Sequence, residues 1–291
     1  MTFDPAGDSS LCTMRAMPIR IDAGLTGLKQ MKAAFRRNKK HYLQEATGLA
    51  IFMTSACFFG AMLYSAKSPW QAGLHSTLLR DFLMAVAMGG TALFIFYSPV
   101  TAPSGSQINP AVTLTFLRLD RMCRYDALFY ILFQFAGGVL AVLLMQKIMG
   151  AVLTDPPVNT VTTVPGKAGA AWAVITEFLC AFITMAMVLF TGRHDWLKKR
   201  TRLFAGGLVF TWVLFAAPVS GFGMNPARSF ASALPSGIWD HFWIYLVAPL
   251  AGMLLAAEFF LLAERKRAAQ NKAKAPLPLR KKFSEPLEFM L

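Results

Sequence analysis

The chain has 291 residues, 55% of them apolar and 15% charged, where a soluble domain carries about 25% charged residues. That balance excludes an ordinary soluble domain and points to a protein whose solvent is lipid. The formal charge of +14 does not point to nucleic acid. Binders of that kind gather positive charge on one polar face, whereas here Lys and Arg fall in blocks between apolar runs.

The amino-terminal region has no short apolar core of the signal-peptide type, so membrane insertion is expected to rely on the first spanning helix. Residues 22–40 place Leu25, Leu28, Met31 and Phe35 at near-helical spacing among lysines and arginines. They read equally as a helix lying on anionic lipid or as an unstructured basic tail. A span needs roughly 20 mostly apolar residues. Six runs meet or approach this: 43–64, 82–100, 127–150, 171–191, 203–219 and 242–263. Two further apolar stretches, 109–117 and 225–234, are too short to cross a hydrocarbon core about 30 Å thick. They read as re-entrant half-helices.

Basic residues mark the cytoplasmic side. The blocks at 36–40, 193–202 and 264–274, and Arg118, Arg121 and Arg124, all fall on one face once six spans are threaded. Both termini are therefore expected in the cytoplasm, with the plasma membrane as the location. The predicted organisation is a basic tail at 1–41, a membrane domain at 42–264 and a basic tail at 265–291. Within the domain, 42–150 and 171–264 each read span, span, half-helix, span. Three spans per copy is an odd number, so the second copy is inserted upside down. Inverted repeats with interrupted helices place their site at the midplane.

The two half-helices open on the same tripeptide, Asn109-Pro110-Ala111 in "SQINPAVTLTF" and Asn225-Pro226-Ala227 in "GFGMNPARSF". Asn caps a helix, and Pro fits the first turn because its missing N–H had no partner there. In water that would be capping and nothing more. At membrane depth, non-helical backbone is tolerated only when buried in protein or lining a wet cavity, so two such ends suggest a pore. Glu45 and Glu177 occupy matching places near the starts of the first and fourth spans. A carboxylate in such a position is costly, and each is expected to accept hydrogen bonds from backbone N–H groups of a re-entrant loop. Arg228, on the first turn of the second half-helix, is expected to line the cavity rather than reach the interface. Glu258 reads as an ordinary inner-end residue. The four cysteines (Cys12, Cys57, Cys123 and Cys180) show no paired spacing. No cluster has metal-ligand spacing and no nucleophile faces a base, so neither enzyme chemistry nor a cofactor is expected.

Six spans, inverted halves and paired Asn-Pro-Ala segments, the second continuing as "NPARS", resemble the aquaporin (major intrinsic protein) family from about residue 42 to 264. The resemblance implies an all-α membrane protein of six transmembrane helices and two half-helices, forming a homotetramer with one pore per subunit. By it, Asn109 and Asn225 offer side-chain amides to the permeant, Arg228 lines the narrow outer filter, and Glu45 and Glu177 brace the two loops. Half-helix dipoles and an arginine exclude ions and protons in pores of this class. Water-selective members carry a histidine where this chain has Val213. Phe222 holds the loop position of the filter, and Met88 or Gly89 the position from the second span. Ser229, Ala233 and Tyr245 match the water subclass, while Leu246 matches the glycerol side. Water is the expected permeant, with glycerol or another small neutral solute as the alternative. A secondary transporter shares inverted repeats and broken helices but would need a coupling-ion site, for which no free acidic residue stands near the midplane.

Overall fold

A computed structural model describes residues 27–274, with side chains described through residue 271. Eight principal helices follow in order: α1 Gly27–Tyr64, α2 Thr77–Tyr97, α3 Pro110–Arg118, α4 Arg124–Met149, α5 Ala170–Arg193, α6 Thr201–Phe215, α7 Pro226–Ser236 and α8 Trp243–Lys274. Short helical turns lie in the connections. Among the described residues, five helices (α1, α2, α4, α5 and α8) are long and apolar enough to cross a membrane. The fifth expected run corresponds to α6, a shorter apolar helix of 15 residues that continues after Ala216 as the turn Ala217–Ser220. The expected run 203–219 thus contains a break, where Pro218 removes a backbone donor. Large apolar side chains such as Phe94, Leu140, Ile148 and Phe215 are exposed on the outside of the bundle. A helix bundle in water hides such residues; in lipid they face a matching solvent.

Three helix pairs build the body: α1 with α4, α5 with α8, and α2 with α6. Glycine sets how closely each pair approaches. A Cβ at Gly137 would lie 2.2 Å from the Ala46 carbonyl oxygen of α1, and one at Gly252 would lie 2.4 Å from the Phe178 carbonyl oxygen of α5. The two contacts are the same contact in the two repeats, since Ala46 follows Glu45 and Phe178 follows Glu177. At the α2–α6 crossing the relation is reciprocal. Gly89 faces Phe210 and the Gly206 carbonyl, while Gly206 faces Leu93 and the Gly89 carbonyl. An approximate two-fold axis therefore passes between Gly89 and Gly206.

Each half-helix crosses over to the other repeat: α7 packs on α4, and α3 packs on α8. The ion pair Arg118–Glu258, at 2.7 Å, ties the end of α3 to α8, so Glu258 is a cross-repeat partner rather than an ordinary end residue. The connection between α4 and α5 folds back over the bundle. Lys67 donates to Asp155 at 2.6 Å, a bond that holds the Asp155 carboxyl below its ordinary range.

The amino-terminal reading needs correction. From Gly27 the basic stretch is part of α1, which runs through the expected boundary at 41/42 without a break. It is neither a separate surface helix nor a coil over that part, because it has its own packing. Ala34 is buried, Phe35 stacks among Tyr42, Phe129 and Phe133, and the Asp126 carboxylate accepts from both Tyr42 and Asn38. Leu25 and Cys12 lie outside the described residues. Likewise α8 continues past residue 264 to Lys274, so the expected carboxy-terminal tail begins as helix; residues 275–291 lie outside the description.

Candidate functional site

The loop before each half-helix holds an unusual backbone. Gly105, Ser106 and Ile108 have positive φ values of 90°, 47° and 43°, and Gly221, Phe222 and Met224 repeat this at 77°, 47° and 43°. A β-branched residue such as Ile108 avoids that region unless its surroundings over-determine it. Here the surroundings do. Glu45 accepts from the Gln107 N–H at 3.0 Å, the Ile108 N–H at 2.6 Å, the Ser104 hydroxyl at 2.6 Å and the Gln134 amide at 2.8 Å. Glu177 accepts from the Gly223 N–H at 2.8 Å, the Met224 N–H and the Ser220 hydroxyl at 2.7 Å. Both carboxylates are fully buried. A buried carboxylate is tolerable only with its lone pairs met, and these two are met by loops whose own N–H groups would otherwise lack partners.

Five more residues, Ser104, Tyr130, Gln134, Ser220 and Tyr245, complete the braces and were not foreseen in that role. Tyr130 donates to the Ser104 carbonyl at 2.8 Å, and Tyr245 donates to the Ser220 carbonyl at 2.6 Å. The signal was present in the longer repeat "SGSQINPA" and "SGFGMNPA": Ser-Gly stands at the same distance before Asn-Pro-Ala in both copies. Glycine supplies the first positive φ, and serine supplies the hydroxyl.

Asn109 and Asn225 cap α3 and α7. The Asn109 side-chain oxygen accepts from the Ala111 N–H at 2.9 Å, and that of Asn225 accepts from the N–H groups of Ala227 and Arg228 at 3.0 and 3.2 Å. Their nitrogens then cross the axis. Asn109 Nδ2 donates to the Met224 carbonyl at 2.8 Å, and Asn225 Nδ2 donates to the Ile108 carbonyl at 2.7 Å. The two helix starts therefore lie tip to tip. Pro110, Ala111, Pro226 and Ala227 are buried in the first turns.

Arg228 follows on the first turn of α7, and its Nη1 is buried with no hydrogen-bond partner. The Ser229 and Thr163 hydroxyls share that condition. Met88, Val213, Phe222 and Met224 are buried in one apolar cluster. A Cβ on Gly89 would lie 2.8 Å from the Phe210 Cβ of α6, which makes Gly89 a packing residue of the α2–α6 crossing. Of the two second-span alternatives, Met88 belongs to the apolar cluster that also holds Val213 and Phe222.

An inverted repeat of membrane-spanning helices, with two half-helices joined at their amino ends, defines a class of membrane protein built around its midplane. The model of the major intrinsic protein family matches residues 33–260, and the chain belongs to that family. Among its relatives, rice (Oryza sativa subsp. japonica) aquaporin NIP1-4 is 34% identical over 175 residues, covering 60% of this chain and 62% of that protein. The chain thus spans less than two thirds of that relative's length. The chicken (Gallus gallus) lens fiber major intrinsic protein is 29% identical over 247 residues, covering 79% and 92%. In fold, the chain is similar to the X-ray structure of the aquaglyceroporin from Plasmodium falciparum, with a TM-score of 0.65 at 15% identity over 79% of this chain and 98% of that one.

Proposed function

We propose that the chain is a passive transmembrane channel for water and small neutral solutes that excludes ions and protons. The observation that carries the reading is the reciprocal pair of bonds from Asn109 and Asn225 across the tips of α3 and α7. Each amide nitrogen has two hydrogens, and one is committed to the opposite loop. The other is the donor offered to the permeant oxygen. With both donors fixed, a passing water is oriented by its oxygen, which breaks a proton relay along the file. Each half-helix start carries about half a positive elementary charge. Two such ends face the same point, so a dehydrated cation meets repulsion while a neutral molecule loses little.

In this reading Arg228, Val213, Phe222 and Met88 form the outer filter. The Arg228 guanidinium supplies the filter's charged donor, and the apolar group opposite sets the width. Valine in place of histidine takes away a polar group and some bulk. A filter with one charged donor and three apolar walls suits a molecule with both carbon and hydroxyl surface, so glycerol is the second reading. The subunits assemble as a homotetramer in the plasma membrane, with both termini in the cytoplasm. No enzyme activity or resident cofactor is required.

Stopped-flow light scattering of proteoliposomes under water and glycerol gradients tests this. Flux with a low activation energy, linear in the gradient and independent of ions and pH, is expected. Saturable uptake coupled to an ion gradient would overturn the channel in favour of a secondary transporter.

A further inference from the structure

The geometry points to an anionic phospholipid site on the outer wall, in the groove between α5 and α8 at the ends bearing Arg193 and Arg267. The groove has a volume of about 340 Å³. Phe182, Leu189 and Phe190 of α5 form one wall, and Phe259 and Phe260 of α8 form the other. Ala186 and Ala256 between them are too small to close it. Phe190 and Phe259 are each 57% exposed, so the groove opens outward rather than towards the pore.

Its length fits a lipid chain. From Phe182 to Arg193 the wall follows α5 for about 16 Å at 1.5 Å per residue. That is roughly one leaflet of a hydrocarbon core about 30 Å thick. Its chemistry changes at the end of that distance. The rim is made by Arg193, His194 and Arg267, and among the described residues no carboxylate lines the groove. Arg193 is paired with Glu264. His194 donates its Nδ1–H to the Phe190 carbonyl at 2.8 Å, so in that tautomer its second ring nitrogen is an acceptor, and the Arg267 guanidinium is the group left for an incoming anion. Trp196, 70% exposed in the next turn, is the residue type enriched at the headgroup level. An apolar slot one leaflet deep with a cationic lip is complementary to an acyl chain below a phosphate. A second copy of this chain is a poorer occupant, because it would bring its own excess positive charge to a positive rim. The inference concerns the outer wall and does not depend on what passes through the pore.

Native mass spectrometry of the full chain in detergent tests it, with dioleoyl phosphatidylglycerol, dioleoyl phosphatidylcholine or inorganic phosphate added at equal concentrations. Phosphatidylglycerol adducts should be retained over phosphatidylcholine, and inorganic phosphate should leave none. A basic side chain near the headgroups contributes about 1 kcal/mol, so Arg267→Gln should cut phosphatidylglycerol retention about fivefold. Lys29→Gln, which removes an exposed charge on α1 instead, should leave retention intact. Equal retention of the two lipids, or equal loss in the Lys29 variant, overturns the site. Phosphate adducts that compete with the lipid overturn the lipid as its occupant. The groove-filling Ala186→Leu should reduce lipid adducts at unchanged oligomer mass; a lower oligomer mass with adducts retained overturns it in favour of a contact between copies.

Discussion

Glu45 and Glu177 each hold a loop in a backbone conformation that its residues would not choose, and the carboxylate form is what makes this possible. An amide in that position has one acceptor oxygen, and its NH2 group would face a backbone N–H. Leaving a buried donor unsatisfied costs about 1–3 kcal/mol. Glu45→Gln and Glu177→Gln are therefore expected to lower the thermal unfolding midpoint in detergent, each by more than Ser104→Ala or Ser220→Ala, which remove one donor from a carboxylate that keeps others. The filter makes a different kind of claim, about passage rather than folding. Val213→His adds bulk and a polar group to the apolar cluster that holds Met88 and Phe222. It should slow glycerol-sized solutes while water flow persists, as measured by parallel swelling and shrinking rates of the same vesicles. Equal glycerol rates in the two proteins would remove Val213 from the filter.

Helices in this molecule are positioned by glycines that differ sharply from their sequence neighbours. Gly89 and Gly206 face the opposite helix within contact distance, whereas a Cβ on Gly90 or Gly207 would meet nothing within 4 Å. Replacing Gly by Ala in an open helical position gains about 1 kcal/mol of propensity. Overpacking typically costs 1–3 kcal/mol, occasionally more. Gly137→Ala and Gly252→Ala, which push a methyl group against main-chain carbonyls, should be strongly destabilising. Gly90→Ala and Gly207→Ala should be neutral or stabilising. Thermal unfolding of the four variants reads the contrast directly. The half-helices obey the same logic of backbone satisfaction: each starts with an Asn cap and a Pro, and each start is fixed from outside by the other loop.

On the scale of the whole molecule, the repeats are interlocked rather than juxtaposed. α7 packs on α4 and α3 on α8, each Asn bonds the opposite loop, and Arg118 pairs with Glu258. Each half braces its own loop, but the packing surface of α7 and the acceptor for each Asn side-chain nitrogen lie in the other half. A chain divided in the connection between α4 and α5 should therefore give no water flux from either half expressed alone. Co-expression of the two halves should restore it, measured by swelling of the expressing cells.

Six apolar runs, the paired Asn-Pro-Ala segments, the matched glutamates and the upside-down second repeat follow from composition and spacing. A membrane makes hydrophobic length a direct reading of topology, and a half-length apolar segment has few alternatives. The tertiary structure alone decided what depended on distance between residues far apart in the chain. It put Met88 in one apolar cluster with Val213 and Gly89 at the α2–α6 crossing, and it turned Glu258 into a cross-repeat partner. It also carried α1 back to Gly27, because Phe35 and Asn38 found partners on α4 and Ala34 is buried. Periodicity states which faces are apolar or charged; it does not state which other surface will meet them. That choice rests on packing and on hydrogen-bond satisfaction, both of which exist only once the helices are together.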